Sequence, residues 1–455
     1  MRSFRWLIVT VAVIVGLAVI AIAVGALWLN TFIHSDAFKA EVQSRASQSV
    51  GAPVDIQSIN FDVFNGIKLE GFATQIDPSH AGGQGALKVQ VARVNCTYSL
   101  WDLLARKLRL TGVTLDQPQI VLTKQPTEPM SSTPANPPAS ENASAPSGPV
   151  GSAPGGSSLP FQFVLDRAKV NDGSVTVQDA SGTTMVDLKG VNADANTAGY
   201  SEGKDVTGTL RIGQVTASNM QVTNFYTPFT YHANMLNATP FDATAFNGKI
   251  KGGYQMDGSG PSVLDLNAKG LDVAQLTAAT SSHSSAKLSG SLDLQSKWRA
   301  VETGEINGEG DAQLAGGKLE GVKMLEEASA LLRLKEINAP VITKAQTHFV
   351  VANQQTKFIG LQLESPFFKL TGDGTVGFNG ALDANLVLIL SSDSMGKLPK
   401  QAASSFVQQP DGTGTIAFHV TGTTSDPQTD LPTRLLMQNL QIKNVINKAL
   451  NKFFH

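Results

Sequence analysis

The chain has 455 residues, with 35 Lys and Arg against 37 Asp and Glu, a formal net charge of −2. That balance excludes a nucleic-acid binder built on a large basic surface, and 42% hydrophobic residues exclude wholesale disorder. The single cysteine, Cys96, excludes an internal disulfide, a Cys-cluster zinc site and a CxxC redox pair.

Leu7 to Leu29 is a run of 23 residues without a charge. At about 1.5 Å per residue it covers about 34 Å, enough to cross a ~30 Å hydrocarbon core. Trp6 and Trp28 bracket it at the two membrane interfaces, and Arg2 and Arg5 place the N-terminus in the cytoplasm and the bulk outside. The alternative is a signal peptide cleaved at Ala21-Ile22-Ala23, which would leave the apolar Val24–Leu29 on the mature chain. The length predicts a retained single-pass anchor over residues 1–30.

Ser35 is placed to cap a short helix with Phe38, Val42 and Ala46 on one face, stopped by Gly51 and Pro53. From Val54 the period changes to two. Ile67–Phe72, Leu87–Val91 and Leu108–Val113 alternate apolar and polar residues, the pattern of strands with one face buried and the other in water. Residues 125–158 differ in kind: 25 of these 34 are Pro, Ser, Ala or Gly. Burial cannot offset ordering entropy for such a composition, which predicts a flexible insert. Alternation resumes at Phe161–Leu165 and runs to about residue 420. A helical pattern interrupts it at Val322–Leu334, with Val322, Leu325, Ser329 and Leu332 on one side. A second amphipathic helix covers about Thr433–Phe453, and its apolar half gathers Leu435, Ile442, Val445, Ile446, Leu450 and Phe453. Such a face must dock on the sheet, close one end of a groove or lie on a membrane; with no Trp or Tyr, docking on the sheet is favoured.

Within the β region the motif apolar–polar–apolar–polar–Gly–apolar recurs at Ile67–Phe72, Leu108–Val113, Val186–Val191 and Leu266–Leu271, with partial copies at Lys318–Val322 and Phe358–Leu361. It predicts strands that end at a glycine bend, arranged as an antiparallel sheet without βαβ units. Leu386–Leu390 is apolar at every residue, so that strand should be covered on both faces. The fold class is mainly β: an N-terminal transmembrane helix, an extended antiparallel sheet and a few amphipathic helices. The chain divides into anchor (1–30), helix and hairpins (31–124), insert (125–158), β-repeat region (159–300), C-terminal β region with one helix (301–430) and terminal helix (431–455).

Catalytic and metal-binding patterns are missing from the sequence. The seven histidines (34, 80, 232, 283, 348, 419, 455) are scattered, and no Gly-x-Ser-x-Gly elbow occurs. Gly372–Gly377 spells a dinucleotide fingerprint, but strand patterns precede and follow it and no helix opens there. Glu326 and Glu327, adjacent on a helix, cannot face one cleft. No catalytic residue, metal, cofactor or nucleic acid is expected, and an enzyme is the weakest class of explanation.

The order of parts resembles the AsmA family of Gram-negative envelope proteins. The resemblance rests on the N-terminal span, the short helix with Val50–Ile56, Asn60-Phe61, Gly66–Phe72 and the strand–Asn/Asp-Gly–strand unit Val170–Asp179. Towards the C-terminus it rests on Ala315–Val322 with its helix, Leu363–Pro366 and Leu370–Phe378, like the AsmA-like C-terminal domain. It implies a U-shaped sheet with an apolar groove, anchored in the inner membrane with its bulk in the periplasm. It also implies outer-membrane biogenesis or envelope homeostasis, with phospholipid as partner. The candidate groove residues are Phe61, Val63, Ile67, Leu69, Leu108, Leu110, Phe358, Phe368 and Leu370. The alternative is a membrane-tethered scaffold that regulates outer-membrane protein assembly, or protein targeting to the membrane, without carrying lipid.

Overall fold

The computed structural model describes residues 39–435, except 41, 45, 48–50, 63–65, 77–84, 100–101, 103–106, 125–161, 200–202, 259, 281–285 and 301–304. The expected anchor with Arg2, Arg5, Trp6 and Trp28 lies outside them. So do the insert, Val63, Ile442, Val445, Ile446, Leu450 and Phe453. Strands hold 68% of the described residues. Among the same residues no helix is long and apolar enough to cross a membrane. Two units divide at Gly208/Thr209, inside the expected β-repeat region and within strand β8 (Val206–Ala217).

The N-terminal unit is built on β1 (Val54–Asp62), β2 (Gly66–Ile76), β3 (Gly85–Tyr98), β4 (Lys107–Lys124), β5 (Gln162–Leu165), β6 (Arg167–Gln178) and β7 (Thr184–Asn196). β1 to β4 form an antiparallel meander, and β6 pairs with β7 antiparallel. The expected all-antiparallel order fails at one step: β4 pairs in parallel with β5 and β6. Asp116 of β4 fastens that step, accepting from Asn95 of β3 at 3.1 Å and from Asn171 of β6 at 2.7 Å. Arg167 of β6 holds the Asp194 carboxyl of β7 below the usual carboxylate range through a side-chain hydrogen bond at 2.7 Å. The helical residues within 39–47 lay Val42 and Ala46 onto Ile56, Ile67, Leu69, Val89, Cys96 and Leu110, all 5% exposed or less. Burial pushes the Cys96 thiol up to about 12, so it stays protonated and inert at neutral pH.

The glycine motif marks a different feature from the one expected. Most of the strands do not end there; their alternation changes parity. In β2 the buried side chains are Ile67 and Leu69, then Phe72 and Ile76, an odd step across Gly71 (φ +64°). The partner strands switch at the same level: β4 at Gln117 (φ +50°), β6 at Asp172 (φ +50°) and β7 at Gly190 (φ +64°). Pairing puts Gly71, Ala92 of β3, Gln117 and Asp172 at one level, so the change of parity crosses the sheet as a line, left-handed at each of these positions except Ala92. Each extra residue rotates the next side chain by one pleat, and the apolar residues stay on one face on both sides of the line. Two copies are exceptions: Gly112 of Leu108–Val113 has no positive φ, and at Lys318–Val322 the strand Ile306–Glu320 does end, directly before Gly321 (φ +72°).

The C-terminal unit continues with β9 (Met220–His232), β10 (Met235–Ala245), β11 (Gly248–Asp257), β12 (Ser262–Asp272), β13 (Lys287–Leu288), β14 (Ser291–Ala300), β15 (Ile306–Glu320), β16 (Val341–Ala352) and β17 (Gln355–Glu364). It ends with β18 (Phe368–Gly377), β19 (Leu382–Leu390), β20 (Val407–Gln408), β21 (Gly414–Gly422) and β22 (Pro427–Thr429). Adjacent strands pair antiparallel from β9 to β12, then β14 to β19, β21 and β22, with β12 beside β14. Face-switching glycines recur at Gly270, Gly316 and Gly360, with φ of +69°, +59° and +61°. The N–H groups of Gly270 and Gly360 are held by Asp293 and Asp373 at 2.8 and 2.7 Å.

Beyond its own chain neighbours, no atom lies within 4 Å of where a Cβ on Gly270 would sit, so a side chain there meets conformational cost alone. Gly270→Ala should lose about 1–2 kcal/mol in urea unfolding, and Gly270→Asn less, because Asn tolerates the left-handed region. Equal stability of all three would contradict the face switch.

The expected helix near 322–334 is Lys323–Leu332, closed by Arg333 in the left-handed conformation (φ 54°). Sequence periodicity missed three others, Val273–Thr280, Ser392–Lys397 and Lys400–Ala403, which have eight, six and four residues. Leu386, Leu388 and Leu390 of β19 are roofed by Leu332, Ile337, Met395, Phe406, Leu431 and Leu435. The expectation of cover on both faces is corrected: Val387 and Ile389 stay half-buried, flanked by Thr371 and Ala417 and by Lys369 and Thr415 of the neighbouring strands.

Candidate functional site

The nine candidate groove residues separate into groups. Ile67, Leu69 and Leu110 are core residues of the N-terminal unit, at 5%, 4% and 0% exposure under the helix, and Phe368 is core of the C-terminal unit at 5%. Phe61 is placed by its backbone pairing with Ile67, and Leu108 by pairing with Phe163. Phe358 and Leu370 are half-buried; Leu370 packs against the C-terminal cluster, and Phe358 belongs to none of the buried clusters. The structure therefore does not bring the nine onto one surface.

It presents instead a surface that most of those residues do not line. Following the pairing register across β11 to β17 gives two rows on one face. The first is Tyr254, Leu264, Trp298, Gly308 and Val351; the second is Gly252, Leu266, Ser296, Gly310, Phe349 and Phe358. None belongs to the three buried clusters of the described residues, although Phe349, Val351 and Ser296 are themselves buried, at 7%, 6% and 5%, and Tyr254, Leu264, Leu266, Trp298 and Phe358 are half-buried. The helices roof the same sheet further on, at β18, β19 and β21.

The rows share a construction. Large rings sit directly across from glycines: Phe241 opposite Gly252, Trp298 opposite Gly308, Phe349 opposite Gly310 and Phe358 opposite Gly374. A Cβ on Gly308 would come within 2.4 Å of the Trp298 ring, and one on Gly310 within 2.9 Å of Phe349. These rings therefore lie across the neighbouring strand, where a side chain would otherwise stand. The Trp298 and Phe349 centroids are 6.2 Å apart, tilted by 40°. The polar atoms of the face are already partnered: Trp298 Nε1 donates to Ser296 Oγ at 2.8 Å, and Tyr254 Oη to Ser262 Oγ at 3.2 Å.

The opposite face carries the cross-strand ion pairs Lys251–Asp242 and Lys297–Asp265, at 3.2 and 3.8 Å, and a cross-strand hydrogen bond between His348 Nδ1 and Asp311 Oδ1 at 3.0 Å. Exposed pairs of this kind add little stability, but they mark the solvated side. The two faces differ in chemistry along β11, β12, β14, β15 and β16.

Among the described residues no group of three or more His, Cys, Asp and Glu is gathered as a metal site. Gly372–Gly377 lies in strand β18 between β17 and β19. Sequence reasoning missed Trp298 and Phe349. Alternation in Leu292–Trp298 and Ala345–Val351 signals an apolar face, but the ring-on-glycine pairing emerges only once register is known.

No protein-family description matches the chain, and neither curated proteins nor solved structures include a match to it.

Proposed function

We propose that this protein holds the acyl chains of phospholipid on the apolar face of β11–β17. One observation carries the reading: a face of aliphatic and flat aromatic side chains, belonging to none of the buried clusters, whose polar atoms already have partners. An acyl chain brings no hydrogen-bonding groups and so leaves none unpaired on such a surface, whereas a polypeptide backbone laid there would. The expected anchor at 1–30 and the AsmA resemblance support an inner-membrane, single-pass protein with its bulk in the periplasm, serving outer-membrane biogenesis or envelope homeostasis. A scaffold that regulates membrane-protein assembly without carrying lipid has no need of such a face.

The full chain should co-purify with phospholipid, read by extraction and mass spectrometry. Gly308→Val, which drives a branched side chain into the Trp298 ring, should lower the lipid-to-protein ratio while the strand content measured by circular dichroism is retained. An extract of the wild-type chain without phospholipid would overturn the proposal.

A further inference from the structure

The apolar face of β11–β17 has a closed end and an open end. Beyond its two rows the register supplies a third, Ile250, Ala268, Leu294, Ala312 and Thr347. Past the glycine bends of β12 and β15, Leu271, Leu292, Leu314 and Ala345 stand side by side. That end is closed. Leu314 and Ile342, at 8% and 1% exposure, form a buried cluster with Val273 at the start of the helix Val273–Thr280, and Leu292, Leu319, Ala345 and Leu363 pack against it. The other end is open: Ile306 pairs with Ala300, two residues beyond Trp298, and is 56% exposed.

Along β15 the positions on this face are Ile306, Gly308, Gly310, Ala312 and Leu314, in that order. The three small residues leave a lane that runs with the strand, lined by the Trp298 and Phe349 rings where these lie over Gly308 and Gly310. From Gly308 to Leu314, residue steps of about 3.3 Å make the lane roughly 20 Å long. One leaflet of a ~30 Å hydrocarbon core measures about 15 Å, so an extended acyl chain fits the lane lengthwise. Resting on the acyl-lipid reading of this face, we infer that the lane measures acyl length. The chain lies along β15 with its methyl end against Ala312 and Leu314 and its ester end at Ile306. The closed end gives the methyl group apolar contacts, and the open end lets the ester and headgroup keep their water. Ala312 determines the length accepted, because a large side chain there ends the lane two residues sooner, a loss of about 7 Å.

The full chain is offered an equimolar series of phosphatidylglycerols that differ only in acyl length, and the retained lipid is extracted and read by mass spectrometry. The wild type should retain a limited range of lengths. Ala312→Phe should shift that range to chains shorter by about a third of the lane, with the lipid-to-protein ratio retained. Gln313→Phe, an exposed position on the solvated side of the same strand, should leave the range unchanged. Equal retention of every length by the wild type would overturn the inference. So would an unchanged range or a loss of lipid without shortening in Ala312→Phe, or the same shift in Gln313→Phe. A wild type that retains none of the series would instead overturn the acyl-lipid reading, and the inference with it. Should Ala312→Phe lose its strand signal, Ala312→Leu is read by the same criteria.

Discussion

Deletion of residues 125–158 is expected to destroy the fold of the N-terminal unit. The reason is geometric. β4 and β5 are parallel, with Lys107 paired to Gln162, so the chain that leaves β4 at Lys124 must return to the far end of the same strand. Seventeen residue steps at about 3.3 Å separate the two ends by roughly 56 Å. The deletion would leave Leu159, Pro160 and Phe161 to make the connection, and three residues reach at most about 14 Å. The registered pairs from Lys107↔Gln162 to Thr123↔Gln178 would be lost, and with them the bonds from Asp116 to Asn171 and from Arg109 to Asp166. Thermal unfolding followed by circular dichroism should show no cooperative transition for this unit. A Gly/Ser segment of the original length should restore it, because a connection of that length reaches with slack. A deletion variant that melts like the wild type would contradict the parallel pairing. Deletion therefore cannot decide whether the insert docks to a partner, whereas the Gly/Ser replacement can.

Truncation after Asp430 should destabilise the C-terminal unit without any lipid present. Leu431 and Leu435 are 3% and 6% exposed within the cluster formed by Leu388, Leu390, Phe406 and Ile416. The buried Ser405 hydroxyl donates to the Leu435 carbonyl at 2.9 Å. Asp430 fixes the start of this turn: Oδ1 accepts from the His419 N–H at 2.7 Å and Oδ2 from Arg434 at 2.6 Å. Burying each leucine contributes about 1.5–3 kcal/mol, so removing the segment should cost roughly 3–6 kcal/mol, a large share of a typical 5–15 kcal/mol. A fall in Tm on the order of 10 °C follows for a unit of this size. A truncated chain that melts unchanged but no longer binds anionic vesicles would make the terminal segment a membrane contact instead.

Much of the sheet was legible before the structure because alternation reports burial directly. Ile67 and Leu69, and Leu386, Leu388 and Leu390, are buried where the period-two pattern places them. Three kinds of feature were not legible. Gln117 and Asp172 adopt left-handed backbone without being glycine, so a glycine-based motif could not show the line to which they belong. The parallel step at β4 follows from which strand the chain rejoins after the insert, a long-range choice that local pattern does not encode. The nine expected groove residues mixed core with surface. Alternation says that one face is apolar but not whether another element covers it, and Leu110 and Phe358 look alike in sequence while their surroundings differ.

The central claim is that the apolar face of β11–β17 carries acyl lipid, and adjacent positions on β12 test it most directly. Leu266 lies in the row with Ser296 and Gly310, and Asn267 points to the opposite, solvated side opposite Gln295. A photo-crosslinking residue is placed at each position in turn in the full chain, irradiated in the native membrane, and the adducts are identified by mass spectrometry. Phospholipid adducts from position 266 and none from position 267 are predicted. Protein adducts at 266, or lipid captured equally from both positions, would contradict the claim.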